Sequence, residues 1–207
     1  LVEAIVTHVR VEARNRANTL FNEGLRLGSE ETTIVLAEVA YRKALEIDPT
    51  HDGAMTNLGN LRLSAGDLIE AESLQRMAIA YACGVGARFP LNNLAWVLAA
   101  RGELLAAVEL FERAIKLEPD FYSAHRGLAE VLETMGQCDR ARKHWRRCLA
   151  INPRGAGSDA ARSKLSSKGS RANDPRAHSS LIALVPADPP GADAMSFSSV
   201  IDTPPRK

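Results

Sequence analysis

The chain has 207 residues, 45% of them hydrophobic and 25% charged, with a formal net charge of +1. That balance is ordinary for a globular protein, excludes a highly charged unfolded chain, and gives bulk charge no part in attracting nucleic acid or a membrane surface. No apolar run approaches the roughly 20 residues that span a bilayer, and Cys83, Cys138 and Cys148 have no disulfide-framework spacing, which points to a reducing, cytoplasmic setting. In chain order, residues 1–16 come first. Val2, Ile5, Val6 and Val9 recur at helical spacing, with Glu3 and His8 breaking up what a secretory signal would keep apolar. A helix is expected there, packed on the next element or continuous with it. The sequence opens on Leu1 and not Met, so a fragment of a longer protein is one expectation.

From about residue 17 the chain is periodic. Leu94-Ala95 falls on Leu128-Ala129, Gly102 on Gly136, Ala107 on Ala141, Phe111 on Trp145 and Pro119 on Pro153, each pair 34 residues apart. Leu58-Gly59, Gly66-Asp67, Ala71 and Ala78 form an upstream copy, and Ala37, Tyr41, Ala44 and Pro49 a looser first one. Paired antiparallel helices explain the residue types. A Gly or Ala in the first helix (Gly59, Ala95, Ala129) meets an Ala in the second (Ala71, Ala107, Ala141) and lets the backbones approach. Gly66, Gly102 and Gly136 end the first helices, Tyr41, Phe111 and Trp145 fill the space between pairs, and Pro49, Pro119 and Pro153 stop the second helices.

This pattern resembles the tetratricopeptide repeat family over roughly residues 17–155. The resemblance implies an all-α solenoid of about four helix-turn-helix repeats, at 17–51, 52–87, 88–121 and 122–155. Two departures stand out. The first unit reads Gly24-Leu25 where the others read Leu-Gly or Leu-Ala, and the second has Cys83 where proline is usual, followed by GVGA and two extra residues, a candidate hinge. Residues 156–166 are expected to hold a short capping helix, with Ser158 as N-cap and Leu165 touching the last repeat. The Ser-, Pro-, Ala- and Gly-rich remainder, 167–207, reads as a disordered tail.

The resemblance also implies that the first helix of each unit lines a concave groove. Helical periodicity puts Gly53, Asn57, Asn60 and Ser64 on one stripe and Ala54, Leu58, Leu61 and Ala65 on another, the core stripe. Asn is poor in a helix interior, yet Asn57 and Asn60 both stand on this helix, and its near copy 36 residues on, NNLAW at 92–96, sets Asn93 in the place of Asn57, with Asn92 beside it and Trp96 in the place of Asn60. A carboxamide offers donors and an acceptor to a peptide backbone, and in the family an asparagine ladder at the place of Asn57 and Asn93 does hold peptide backbones. Phe89, Asn92 and Trp96 continue the stripe in the third unit, with Trp96 expected as an exposed aromatic anchor; Ser123, Arg126 and Glu130 continue it in the fourth. The family's clamp for a terminal carboxylate fits poorly. Asn60 and Asn93 match it, but Thr56, Ser123 and Gly127 stand where basic residues belong, and Arg126 is one residue off.

No phosphate loop, GxSxG, HExxH or paired-carboxylate arrangement is present. Cys138, His144 and Cys148 lie close in sequence but lack a fourth zinc ligand, and Cys148 replaces the small Ala44, Ala78 and Ala114. No metal, cofactor or catalytic residue is therefore expected. The basic run 139–147 exposes Arg142, Lys143, Arg146 and Arg147 on the convex side; a solvated face is the simpler reading, and contact with an acidic partner or nucleic acid the weaker one. The reading is a non-catalytic scaffold or adaptor holding an extended or helical peptide in its groove through Asn57, Asn60, Phe89, Asn92, Asn93, Trp96 and Arg126. A recruiting region of a larger enzyme, such as a glycosyltransferase or sulfotransferase, is the alternative. The run LIALV in the tail suggests a segment that folds back as an autoinhibitor; deletion of 167–207 that leaves partner affinity unchanged excludes this.

Overall fold

The computed structural model describes residues 2–28, 31–155 and 157–166. The expected tail, with its apolar run at 181–185, lies outside the described residues. The fold is an all-α solenoid, with nine α-helices among the described residues. These are α1 Val2–Leu27, α2 Ile34–Ile47, α3 Asp52–Ser64, α4 Leu68–Tyr81, α5 Arg88–Ala100, α6 Leu104–Leu117, α7 Tyr122–Thr134, α8 Cys138–Ile151 and α9 Ser158–Ser166. None of them is long and apolar enough to cross a membrane. Each helix packs on the next. The first helices of successive units (α3, α5, α7) also touch one another, which puts them on the inner side of the superhelix.

Three turns share one geometry. Gly66, Gly102 and Gly136 have φ of 80°, 84° and 74°. At this left-handed position the chain reverses while Asp67, Glu103 and Gln137 N–H groups donate back to Arg62, Leu98 and Leu132 carbonyls at 2.8–2.9 Å. Asp67 then caps α4, its Oδ1 accepting from Glu70 N at 3.0 Å. At the start of α3, His51 does the same job from its ring, Nδ1 accepting from Ala54 N at 3.1 Å and Nε2 facing Asn18 Oδ1 at 3.0 Å.

The core repeats with the sequence. Ala71, Ala107 and Ala141 are fully buried, as are Leu58, Leu94 and Leu128. The irregular Gly24 has a local cause. A Cβ built on it would lie 2.4 Å from Tyr41 Cε1, so the first unit seats its aromatic ring on Gly24 as the second seats Gln75 on Gly59, where a Cβ would lie 2.4 Å from Gln75 Nε2. Gln75 is a finding that the repeat pattern hides. It occupies the place of Tyr41, Phe111 and Trp145, is 0% exposed, donates from Nε2 to Thr56 O at 2.9 Å, and leaves Oε1 without a partner. After Cys83, residues Gly84–Ala87 form one 3₁₀ turn, with Gly84 at φ 55°, that absorbs the two extra residues of this unit.

The extension and the first unit share one helix, α1. Arg14 Nη1 reaches Asp48 Oδ2 at 3.1 Å, just beyond the end of α2, so the helix runs on past its neighbour for the residues before 14. At the other end, Gly157 (φ 84°) precedes α9, and Leu165 packs against the core.

Gly127 offers the sharpest test of this packing. A Cβ there would lie 2.4 Å from Phe111 Cζ and 3.1 Å from Trp96 Cζ2. Alanine at 127 gains at most about 1 kcal/mol of helix propensity and costs roughly 1–3 kcal/mol of overpacking. Gly127→Ala is expected to lower the urea midpoint; an unchanged or raised midpoint contradicts the packing.

Candidate functional site

The inner face is built from α3, α5 and α7, and these helices are buried on most sides because each is wrapped by its own second helix and by the next unit. Few positions remain accessible. Among the expected site residues, Asn60, Phe89, Asn93 and Arg126 are half-buried, whereas Asn57 and Asn92 are each 6% exposed and Trp96 only 2%.

Trp96 is therefore a correction. It was expected as an exposed anchor, but its ring stands edge-on to Phe111, with centroids 5.5 Å apart, and fits against the Cβ-free surface of Gly127. A glycine in the next unit's first helix opens a slot that a large ring fills, and filling it removes more apolar surface from water than lining a groove would. Its indole N–H meets no acceptor. The Arg126 guanidinium carbon lies 6.0 Å from the Trp96 ring centroid, and Arg126 pairs with Glu130 at 3.8 Å. Asn57 is corrected in the same way. It lies inside the first interface, beside the Tyr41 hydroxyl but short of good hydrogen-bond geometry; burial pushes that phenol upward and Asn57 opposes the shift.

Asn60 and Asn93 keep accessible carboxamides, and their orientation is set from behind. Asn60 Oδ1 accepts from Gln75 Nε2 at 3.4 Å, and Asn93 Oδ1 accepts from Asn92 Nδ2 at 3.1 Å. With both oxygens engaged by neighbours, the group each of these half-buried side chains has left to offer as a donor is Nδ2. Phe89 adds an apolar surface between them and the fourth unit. Its ring stands at 88° to Phe121 with centroids 5.6 Å apart, and the Arg88 guanidinium sits 4.1 Å over it. The face thus holds two amide donors, one aromatic ring and an Arg–Glu pair.

The other constellations resolve structurally. Cys148 is 1% exposed, and burial pushes its thiol up to about 12, so it behaves as a small core residue. Among the described residues no group of three or more His, Cys, Asp and Glu side chains is placed to hold a metal. In the basic run, Arg140 reaches Glu112 at 3.0 Å, Arg142 donates to Leu165 O at 3.2 Å, and Arg147 pairs with Asp120, so these cations tie neighbouring elements together.

His144 has a partner that sequence reasoning missed. His125 Nδ1 and His144 Nδ1 lie 2.9 Å apart, and His125 Nε2 lies 3.0 Å from Pro119 O. That carbonyl can only accept, so His125 carries its proton on Nε2 and its Nδ1 accepts from His144 Nδ1–H. The signal was in the frame, since His125 stands 34 residues after Leu91, a core position.

Two family models described as tetratricopeptide repeat match residues 98–165 and 40–81, together more than half of the chain. No curated protein matches it. Among solved structures, it is similar to YrrB, described as a TPR protein with an unusual peptide-binding site, at 21% identity and a TM-score of 0.55, covering 70% of this chain and 72% of that one. A thermophilic TPR protein from Thermus thermophilus gives 19% identity, a TM-score of 0.60 and coverage of 72% and 79%. An O-GlcNAc transferase variant from Thermobaculum terrenum gives 26% identity and a TM-score of 0.57, over 65% of this chain but only 26% of that one.

The histidine pair predicts acid sensitivity. Burial lowers both rings, and His125, Arg140 and Lys143 help bring His144 to about 4. The unfolded chain, with histidine near its ordinary 6.5, then binds protons that the folded chain does not, so stability falls as pH drops from about 6.5 to about 4 and this contribution levels off below. Allowing for solvent around a partly exposed ring, His144 accounts for about 2 kcal/mol of that fall. Urea titrations across this range are expected to converge for the parent and His144→Gln at low pH; parallel curves exclude the pair as the cause.

Proposed function

The chain belongs to the tetratricopeptide repeat family, and from that premise we propose that this interaction scaffold binds an extended peptide segment along α3, α5 and α7, without catalysing a reaction. The observation that carries the reading is the pair of half-buried carboxamides on Asn60 and Asn93, each held through its oxygen by a neighbouring carboxamide, which leaves Nδ2 as the donor to a ligand. An extended peptide carries carbonyl oxygens with no partner of their own, which such donors satisfy without reading side chains. Phe89 supplies the apolar contact, so the favoured segment carries an aliphatic or aromatic residue near the carbonyl held by Asn93. Trp96 and Arg126 act from behind and beside the face, as support. Asn57 and Asn92 belong to the same supporting layer.

A second reading rests on the likeness to the O-GlcNAc transferase, of which this chain covers about a quarter. In that reading the same groove recruits substrate for an enzyme to which the repeats are joined, and the full-length gene decides between the two.

The test is a peptide selected from a display library on the full chain, measured by calorimetry against Asn60→Ala/Asn93→Ala. Each lost hydrogen bond is worth about 1 kcal/mol, so the double variant is expected to bind roughly thirtyfold more weakly, with helicity unchanged by circular dichroism. A selected peptide that binds the double variant equally well would sink the proposed groove.

A further inference from the structure

The N-terminal part of α1 carries a face that no other described element covers. Val2, Val6, Val9, Ala13, Ala17, Leu20 and Gly24 follow one another at steps of three and four, so they form a single line along the helix. The far end of this line is the packing seam of the first unit, with Ala17 fully buried and Gly24 under the Tyr41 ring. Ala13 is half-buried. Before it the same line emerges into solvent, with Val2 73%, Val6 42% and Val9 57% exposed and Ile5 beside them at 57%. Apolar seams of this kind are seldom left open.

We propose that this segment pairs antiparallel with the same segment of a second copy of the chain. Two features select that occupant. The line maps onto itself when one helix is reversed, exposed Val2 facing half-buried Ala13 and Val6 facing Val9, so a single patch serves both copies, as a two-fold interface requires. The flanks are complementary as well. Glu3 and Arg10 sit one heptad apart on the same side of the seam, where reversal brings each towards the other's counterpart and makes two opposite-charge pairs. His8 and Glu12 pair within the helix at 3.3 Å, on the side of the seam opposite Glu3 and Arg10. A lipid surface suits the segment poorly, because residues 2–13 contain no Trp, Phe or Lys and carry two glutamates.

A segment of little more than about three helical turns buries less than the roughly 800 Å² per partner of a standard interface, so the dimer is expected to be reversible, with dissociation in the micromolar range. Dimerisation would also give the molecule two grooves and so raise its avidity for a repeated or dimeric ligand.

Sedimentation velocity on the full chain across a concentration series tests this. The expected result is a monomer–dimer equilibrium that Val6→Glu/Val9→Glu weakens about tenfold or more, with circular dichroism unchanged. Glu3→Arg weakens it, and Glu3→Arg with Arg10→Glu restores it, which reports the antiparallel arrangement. A chain that stays monomeric throughout, a dimer indifferent to Val6→Glu/Val9→Glu, or a charge swap that fails to restore association overturns the proposal. So does co-sedimentation with anionic vesicles in place of self-association.

Discussion

The structure depends on one recurring contact, a side chain from a second helix seated on a residue that has no Cβ. Tyr41 lies on Gly24, Gln75 on Gly59 and Phe111 on Gly127. In each case the glycine lets two helix backbones approach while a planar group fills the gap, and a methyl group there would have to displace a ring or a carboxamide. This contact sets the distance between first and second helices, and through Phe111 and Gly127 the distance between units. The inner face inherits its shape from those spacings.

The contact is not made of the same chemistry throughout. Tyr41, Leu58, Leu74 and Ala78 form one apolar cluster, while Leu63 and Ala71 belong to a second, larger one that runs through the third and fourth units. Gln75 lies within this division, and its carboxamide is held by Thr56 and Asn60. A buried polar group bonded on one side contributes less to cohesion than the aromatic ring it replaces. In a solenoid, where each unit is stabilised mainly by its neighbours, the second unit is where the two apolar clusters divide. The same carboxamide orients Asn60, so the polar substitution in the core and the donor on the groove are two ends of one arrangement.

Burial likewise explains why the groove is chemically sparse. First helices are enclosed by their own partners and by the next unit, and large residues that might have served a ligand are drawn into the interface, as Trp96 is. What stays accessible is short and polar, Asn60 and Asn93, or lies at the start of a helix, as Phe89 does. Such a face suits a backbone better than a particular set of side chains. In the proposed reading, specificity lies with the few apolar contacts beside the amides.

The solenoid is written in the periodicity of the chain. A 34-residue recurrence of small, large and turn-forming residues survives because each repeat solves the same local packing problem, and Gly66, Gly102 and Gly136 mark the reversals through their backbone alone. The sequence also places asparagines on the first helices. Which of them face outward was decided only by the tertiary structure. Asn57, Asn60, Asn92 and Asn93 share a residue type and neighbouring positions, but exposure depends on how far the next unit rotates onto the helix, and that angle is set by contacts such as Trp96 on Gly127 that lie 31 residues apart. The His125–His144 pair and the open end of α1 were hidden for the same reason. Periodicity tells which face of a helix is apolar, and only the packed chain shows where its neighbours stop.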